Sequence, residues 1–222
     1  MNQEYFYRLI SLPLFIGLTR DDALNMAGQA RFGFRRPKMH ERIVREGQEC
    51  RELIFAIQGN MRFVERAADG SYTLEEYIEA PLVIQPERLF GRNPRYTRDA
   101  YAHSEGVQLL YVSKEDVRDI LFGYQAFHLN YLNCVCSRQQ AIDRRRWMPA
   151  EKTLRSRFVG FIQNRCEYPA GHKRIDTGMA DLAVHLCASR LYVSQLLHDL
   201  QEEGLLSLQR GSIDIPHLEK LC

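Results

Sequence analysis

Apolar residues return along the last third of the chain with the period of a helix. Leu182, Ala183 and Leu186 share one face of a first segment. Val193, Leu196, Leu197 and Leu200 form the i, i+3, i+4, i+7 stripe of a second. Cys187-Ala188-Ser189 between them is too short to join independent helices, and Ser189 suits the N-cap of the second segment. The pattern predicts a tight helix–turn–helix whose second helix opens with a polar, arginine-bearing turn. That geometry fits a helix to a DNA major groove. Over 204–216 apolar residues then alternate on two arms with Arg210-Gly211 at the tip, which predicts a β-hairpin in the place of a wing.

Upstream the period changes twice. Residues 19–30 predict a helix with Thr19 as N-cap and Asp21-Asp22 in the first turn, where carboxylates suit the helix dipole. From about 31 to 112 the runs are short and β-rich (42–45, 53–57, 61–64, 72–74 and 107–112). Gly59-Asn60, Asp69-Gly70 and Asn93-Pro94 separate them as turn signals. Such spacing points to an antiparallel roll or sandwich. Ser113 caps a helix over 114–122. A long helical pattern extends from about Tyr124 to Trp147, with Tyr124, Phe127, Tyr131, Cys134 or Val135, Arg138, Ala141 and Ile142 at three-four spacing. This is the seam of a helix paired with its own copy and, equally, that of an ordinary core helix. Pro149 suits the first turn of another helix, reaching about Cys166.

Composition narrows the classes. With 45% hydrophobic and 26% charged residues in 222, the chain has the balance of a soluble globular protein. Its net charge of +2 gives no whole-chain argument for nucleic acid, and 149–222 carries nine basic against nine acidic residues. Arg144-Arg145-Arg146, Lys152, Arg155, Arg157, Lys173 and Arg174 gather in the hinge and flanking helix, where some are expected to reach phosphates. Six scattered cysteines without C-x-x-C spacing fit reduced thiols in a cytoplasmic protein. The apolar run 9–18 is too short to span a bilayer and is expected as a helix packed on the domain. No P-loop, G-x-S-x-G or H-E-x-x-H motif is present, so no enzyme and no metal site is expected.

Asp181-Leu182-Ala183, Leu186, Ser189-Arg190, Val193-Ser194, Leu197, Leu200 and Gly204-Leu205-Leu206 resemble the helix–turn–helix signature of the Crp/Fnr family of bacterial transcription regulators. Gly47 and the run from Leu53 to Gly59 are similar to its cyclic-nucleotide-binding-type roll. The resemblance spans nearly the whole chain. It implies an α+β protein with an antiparallel, jelly-roll-like sensor roll over 1–122, a dimerisation helix and hinge over 123–147, and a winged helix–turn–helix over 148–222. It further implies a homodimer joined through Tyr124, Phe127, Tyr131, Cys134, Val135, Arg138 and Ile142. Its partners would be double-stranded DNA with a two-fold symmetric operator, and RNA polymerase.

Departures from the family pattern say what would differ. Cys187 stands where the family has a turn glycine, and Leu191 and Gln195 replace its usual Glu and second Arg. Arg190 could pair with a guanine edge, Gln195 with adenine, and Leu191 or Tyr192 with a thymine methyl. Ser189 and Ser194 suit phosphates, and Arg210 at the wing tip completes the expected DNA-binding set. Tyr192 is as well explained by packing against the turn.

Members that bind a cyclic nucleotide use a Gly-Glu pair and an Arg-Ser or Arg-Thr pair. Here Gln85-Pro86 and Tyr96-Thr97 occupy those places. Pro86 has no N–H and Tyr96 no charge, which argues against cAMP. Glu87, Arg88, Leu89, Tyr96, Thr97 and Arg98 remain as the expected effector pocket, with another anion as a candidate. An iron–sulfur cluster lacks its cysteine group. Haem stays open through His40, His103, His128 or one of the cysteines, as does a form without effector. The alternative to a regulator is a ligand-binding or interaction module with vestigial operator recognition.

Overall fold

The computed structural model describes residues 10–146 and 152–221. These residues pack as two compact units. One comprises the chain up to Met61 together with Glu79–Asp143, and the other joins Arg62–Ile78 to the chain from Arg144 onward.

In the first unit, helix α1 (Arg20–Gln29) begins with a capping box. Thr19 Oγ1 accepts the Asp22 N–H, and the Asp22 carboxylate accepts the Thr19 N–H, both at 3.1 Å. The apolar run before it departs from expectation. Among its described residues it is helical only at Ile10 and proceeds as turns through Gly17, which takes a left-handed φ of 84°. Pro13 removes a helix donor there, and Leu12, Leu14 and Phe15 are fully buried without a helix to carry them.

Eight strands follow, β1 (Phe32–Arg35), β2 (Arg42–Val44), β3 (Glu52–Gln58), β4 (Asn60–Arg66), β5 (Tyr72–Glu79), β6 (Leu82–Ile84), β7 (Asp99–Ala102) and β8 (Gln108–Ser113), of which β4 from Arg62 and β5 up to Ile78 belong to the second unit. An antiparallel sheet runs β1-β8-β3-β6, and β2 pairs with β7. Leu53 to Ala56 are buried consecutively in β3, because that strand has neighbours on both edges and packing on both faces. Phe15 meets Phe55 and Phe127 edge-on, with centroids 5.2 and 5.1 Å away.

Helix α2 (Lys114–Asp119) is capped by Ser113, whose hydroxyl accepts the Asp116 N–H. It is shorter than expected because the chain tightens into a 3-10 turn over Leu121–Gly123. Helix α3 (Gln125–Arg146) then fills the long helical pattern.

In the second unit, α4 (Leu154–Gln163) starts at a Thr153–Ser156 capping box and ends short of Cys166. Thr153 rather than Pro149 sets its start, and Pro149 lies outside the described residues. Then come β9 (Lys173–Thr177), α5 (Met179–His185), α6 (Arg190–Glu202) and the hairpin β10 (Ser207–Gln209) and β11 (Ser212–Ile215). Strand β11 pairs with β10 on one side and β9 on the other.

The free edge of β9 is taken by β5, from Tyr72 opposite Thr177 to Glu76 opposite Lys173. The β4–β5 hairpin therefore completes the sheet under the helix–turn–helix. Leu74 shares a core with Phe158, Ile162, Ile175, Leu182 and Leu197. Lys173 is fully buried, its Nζ 2.6 Å from the Ala170 carbonyl and 3.8 Å from Glu76 Oε2. The Glu76 carboxylate also accepts the N–H groups of Glu167 and Tyr168 at 2.8 and 3.1 Å. A charge this deep is stable only when paired in this way.

Candidate nucleic-acid interface

The expected helix–turn–helix is present. Leu182, Ala183 and Leu186 of the first segment and Val193, Leu197 and Leu200 of α6 point into the core. Ser189 caps α6, its hydroxyl accepting the Tyr192 N–H at 3.3 Å.

The turn has a definite form. Cys187 N–H donates to the Val184 carbonyl and Ala188 N–H to the Ala183 carbonyl, which is the Schellman ending of a helix. The residue that must go left-handed in this motif is Cys187, at φ 47°. The end of α6 repeats the motif with Gly204 at φ 72°, a residue that adopts it without a Cβ penalty. Arg157 of α4 holds the strained turn from outside. Its guanidinium donates to the carbonyls of Leu186 and Cys187 at 2.7 and 3.0 Å.

The opposite face of α6 is open. Arg190, Leu191, Tyr192 and Gln195 are exposed, Leu191 at 74% and Tyr192 at 64%, and Ser194 is half-buried. Tyr192 is thus not packed away against the turn. Apolar side chains left in water on a helix whose other face is fully packed make a contact surface. Val184, 75% exposed, lines a groove with Cys187, Ala188, Ser189 and Arg190 on the side of the first segment away from its buried face. Arg210 is exposed at the tip of the β10–β11 hairpin, beside left-handed Gly211.

Several expected phosphate ligands have internal partners instead. Arg155 grips both carboxylate oxygens of Glu203, Arg157 holds the turn, Lys173 is buried, and Arg174 pairs with Asp176. Lys152 and Arg144 are exposed.

The expected effector residues of the roll are tied to one another. Gln85, left-handed at φ 42° and 1% exposed, accepts the N–H and hydroxyl of Thr97 at 2.9 and 3.0 Å. Its amide donates to the Arg98 carbonyl at 3.1 Å. Tyr96, Arg98 and Leu89 are buried, and burial pushes the Tyr96 hydroxyl far above the ordinary tyrosine value. Glu87 pairs with Arg138 and, more loosely, with Arg88.

Among the dimer-seam residues, Phe127 is fully buried and Tyr131 6% exposed inside their own unit. Tyr124, Cys134, Val135 and Arg138 are half-buried and Ile142 is exposed. Leu129 and Leu132 are the other large apolar side chains of α3 that face water.

Of the haem candidates, His128 stacks on Phe122 at 4.7 Å, while His40 and His103 lie 6.3 Å apart. Among the described residues no group of three or more His, Cys, Asp or Glu is placed to hold a metal ion. No helix of the described residues is long and apolar enough to cross a membrane.

Residues 156–222 match the Crp-like helix-turn-helix domain family. No curated protein matches the chain. Among solved structures, the catabolite activator protein of Thermus thermophilus is similar at 19% identity and a TM-score of 0.50, over 94% of this chain and 96% of that one. DNR from Pseudomonas aeruginosa is similar at 19% identity and a TM-score of 0.47, over 100% of this chain and 97% of that one. Residues 156–222 thus form a Crp-like helix-turn-helix domain, and the chain shares the fold of the Thermus thermophilus catabolite activator protein.

Proposed function

We propose that the chain is a sequence-specific transcription regulator, not an enzyme, that acts in the cytoplasm as a homodimer on a two-fold symmetric DNA operator. The observation that carries this is α6 itself. One face is locked into the core, and the other presents Arg190, Leu191, Tyr192 and Gln195 to solvent behind a capped, positively polarised N-terminus. Arg190 reads guanine, Gln195 adenine, and Leu191 and Tyr192 thymine methyls. Ser189, Ser194 and Arg210 hold the backbone.

Dimerisation through α3 uses the outward stripe of Leu129, Leu132, Val135 and Ile142, since Phe127 and Tyr131 are engaged within their own unit. Leu129, Leu132 and Cys136 keep the three-four spacing of a helical seam. The Gln85–Thr97 bonds and the buried Arg98 support an effector other than cAMP. Residues 1–122 then serve as the sensor, 123–147 as dimer helix and hinge, and RNA polymerase is the downstream partner.

Selection of binding sites from a random duplex pool tests the reading. It is expected to return an inverted repeat with half-sites about one helical turn apart. Recovery of unrelated sequences with no shared half-site would contradict it.

A further inference from the structure

A polar chain joins the tip of the β4–β5 hairpin to both ends of α5. The tip is folded by its own sequence. Asp69 Oδ1 accepts the Ser71 N–H at 3.0 Å and the Ser71 hydroxyl at 2.6 Å. With its proton given to that carboxylate, Ser71 Oγ is left as an acceptor, and His185 Nε2 lies 2.8 Å from it. The imidazole therefore carries its proton on Nε2 and donates to Ser71. Its ring is held edge-on by Tyr72, with centroids 5.5 Å apart, and lies 5.1 Å from that of Phe161. On the other side, Thr177 Oγ1 donates to the Ser71 carbonyl at 2.9 Å.

Those two contacts bracket one helix. Thr177 immediately precedes Gly178, the N-cap of α5, and His185 is the last residue of α5. Seven residues of helix span about 10 Å, and one serine bonds beyond one end and at the other. The residues just after His185 are the left-handed turn that aims α6. Arg157 restrains that turn through its carbonyls, and Ser71 restrains the helix that leads into it.

We propose that Ser71 is a positioning residue for DNA recognition, acting through His185 to hold α5, and thereby α6, at the angle that docks. A segment more than a hundred positions upstream in sequence thus forms part of the reading head. The inference rests on the DNA-binding reading of α6.

The test uses the full chain and a duplex recovered by site selection, with binding followed by fluorescence anisotropy alongside a scrambled duplex. Ser71→Ala is expected to weaken specific binding about fivefold to tenfold, the weight of one hydrogen bond, and to leave scrambled-duplex binding unchanged. Ser71→Thr keeps the hydroxyl and His185→Gln keeps a side-chain N–H donor, so both are expected near wild type. His185→Leu is expected to match Ser71→Ala, and the double variant to be no worse than either. Amide hydrogen exchange in Ser71→Ala is expected to quicken over 179–190 first.

Specific affinity of Ser71→Ala within twofold of wild type overturns the role. So does an equal loss toward both duplexes, or exchange that quickens throughout the C-terminal unit, since either marks general destabilisation. A wild-type chain with no preference for the selected duplex overturns the DNA reading itself, and this role with it.

Discussion

The hydroxyl of Tyr131, in the long helix, donates to the carbonyl of Pro86 at 2.7 Å. A residue whose spacing suited a subunit interface is instead an anchor of the helix on the 3-10 turn Pro86–Arg88. Its ring also meets Phe122 edge-on at 5.2 Å and Phe90 at 6.0 Å. Burial raises its hydroxyl pKa well above the usual tyrosine range.

Substitutions on the two faces of α3 are therefore expected to differ in kind. Tyr131→Asp places a charge among aromatic rings and is expected to cost several kcal/mol of stability, on the order of 3–5. Leu129→Asp with Leu132→Asp, on the exposed stripe, is expected to leave the fold intact and give monomers. Sedimentation velocity and urea unfolding on both variants separate the effects.

Glu76→Ala removes the carboxylate beside buried Lys173 and its hydrogen bonds to the N–H groups of Glu167 and Tyr168. A loss of about 3–5 kcal/mol is expected. Urea unfolding checks it, with tyrosine and tryptophan signals followed separately. Although residue 76 lies early in the chain, the C-terminal unit is expected to lose protection first in hydrogen exchange.

Cys187→Gly is expected to stabilise the protein. A left-handed non-glycine residue costs about 1–2 kcal/mol, and the greater freedom of glycine in the unfolded chain returns part of that. The net gain expected is about 0.5–1 kcal/mol, read as a higher Tm in a thermal melt.

The Asp69 carboxyl is held below the usual carboxylate range, first by the Ser71 hydroxyl and then by the Ser71 N–H. A folded value below the unfolded one means that its contribution is present above about pH 4. That contribution fades as pH falls through the folded value. Asp69→Asn is expected to be less stable than wild type near neutrality, the two converging in acid. Urea midpoints measured across the acid range check the sign.

Arg190→Ala is expected to cost about 1–3 kcal/mol of specific binding and to relax one operator position toward any base. Site selection repeated on the variant reads both effects together.

Much of the fold is legible in the residues because local and tertiary preferences agree there. Ser189, Thr19 and Ser113 cap where their hydroxyls predict, and the stripe from Val193 to Leu200 packs inward as its period requires. The exposed face of α6 comes from the same period. Partner choice is less legible. β-rich composition after a turn signal marks 72–74 as a strand, but nothing in it says that β5 closes the sheet beside β9. The same ambiguity affects α3, where Phe127 and Tyr131 satisfy a self-pairing seam and a roll-facing seam equally. Arginines are hardest of all: Arg155 and Arg157 look like phosphate ligands in sequence, and only their distances to Glu203, Leu186 and Cys187 show otherwise. His185 gives no signal alone, since its partner lies 114 positions away.

The most direct test of DNA reading by α6 is the ratio of affinities for a selected operator and a scrambled duplex, titrated from low to physiological salt. A DNA-reading dimer is expected to prefer its operator by at least about a thousandfold. Affinity for both duplexes should fall as salt rises. A ratio near one at every salt concentration would mean that α6 does not read sequence.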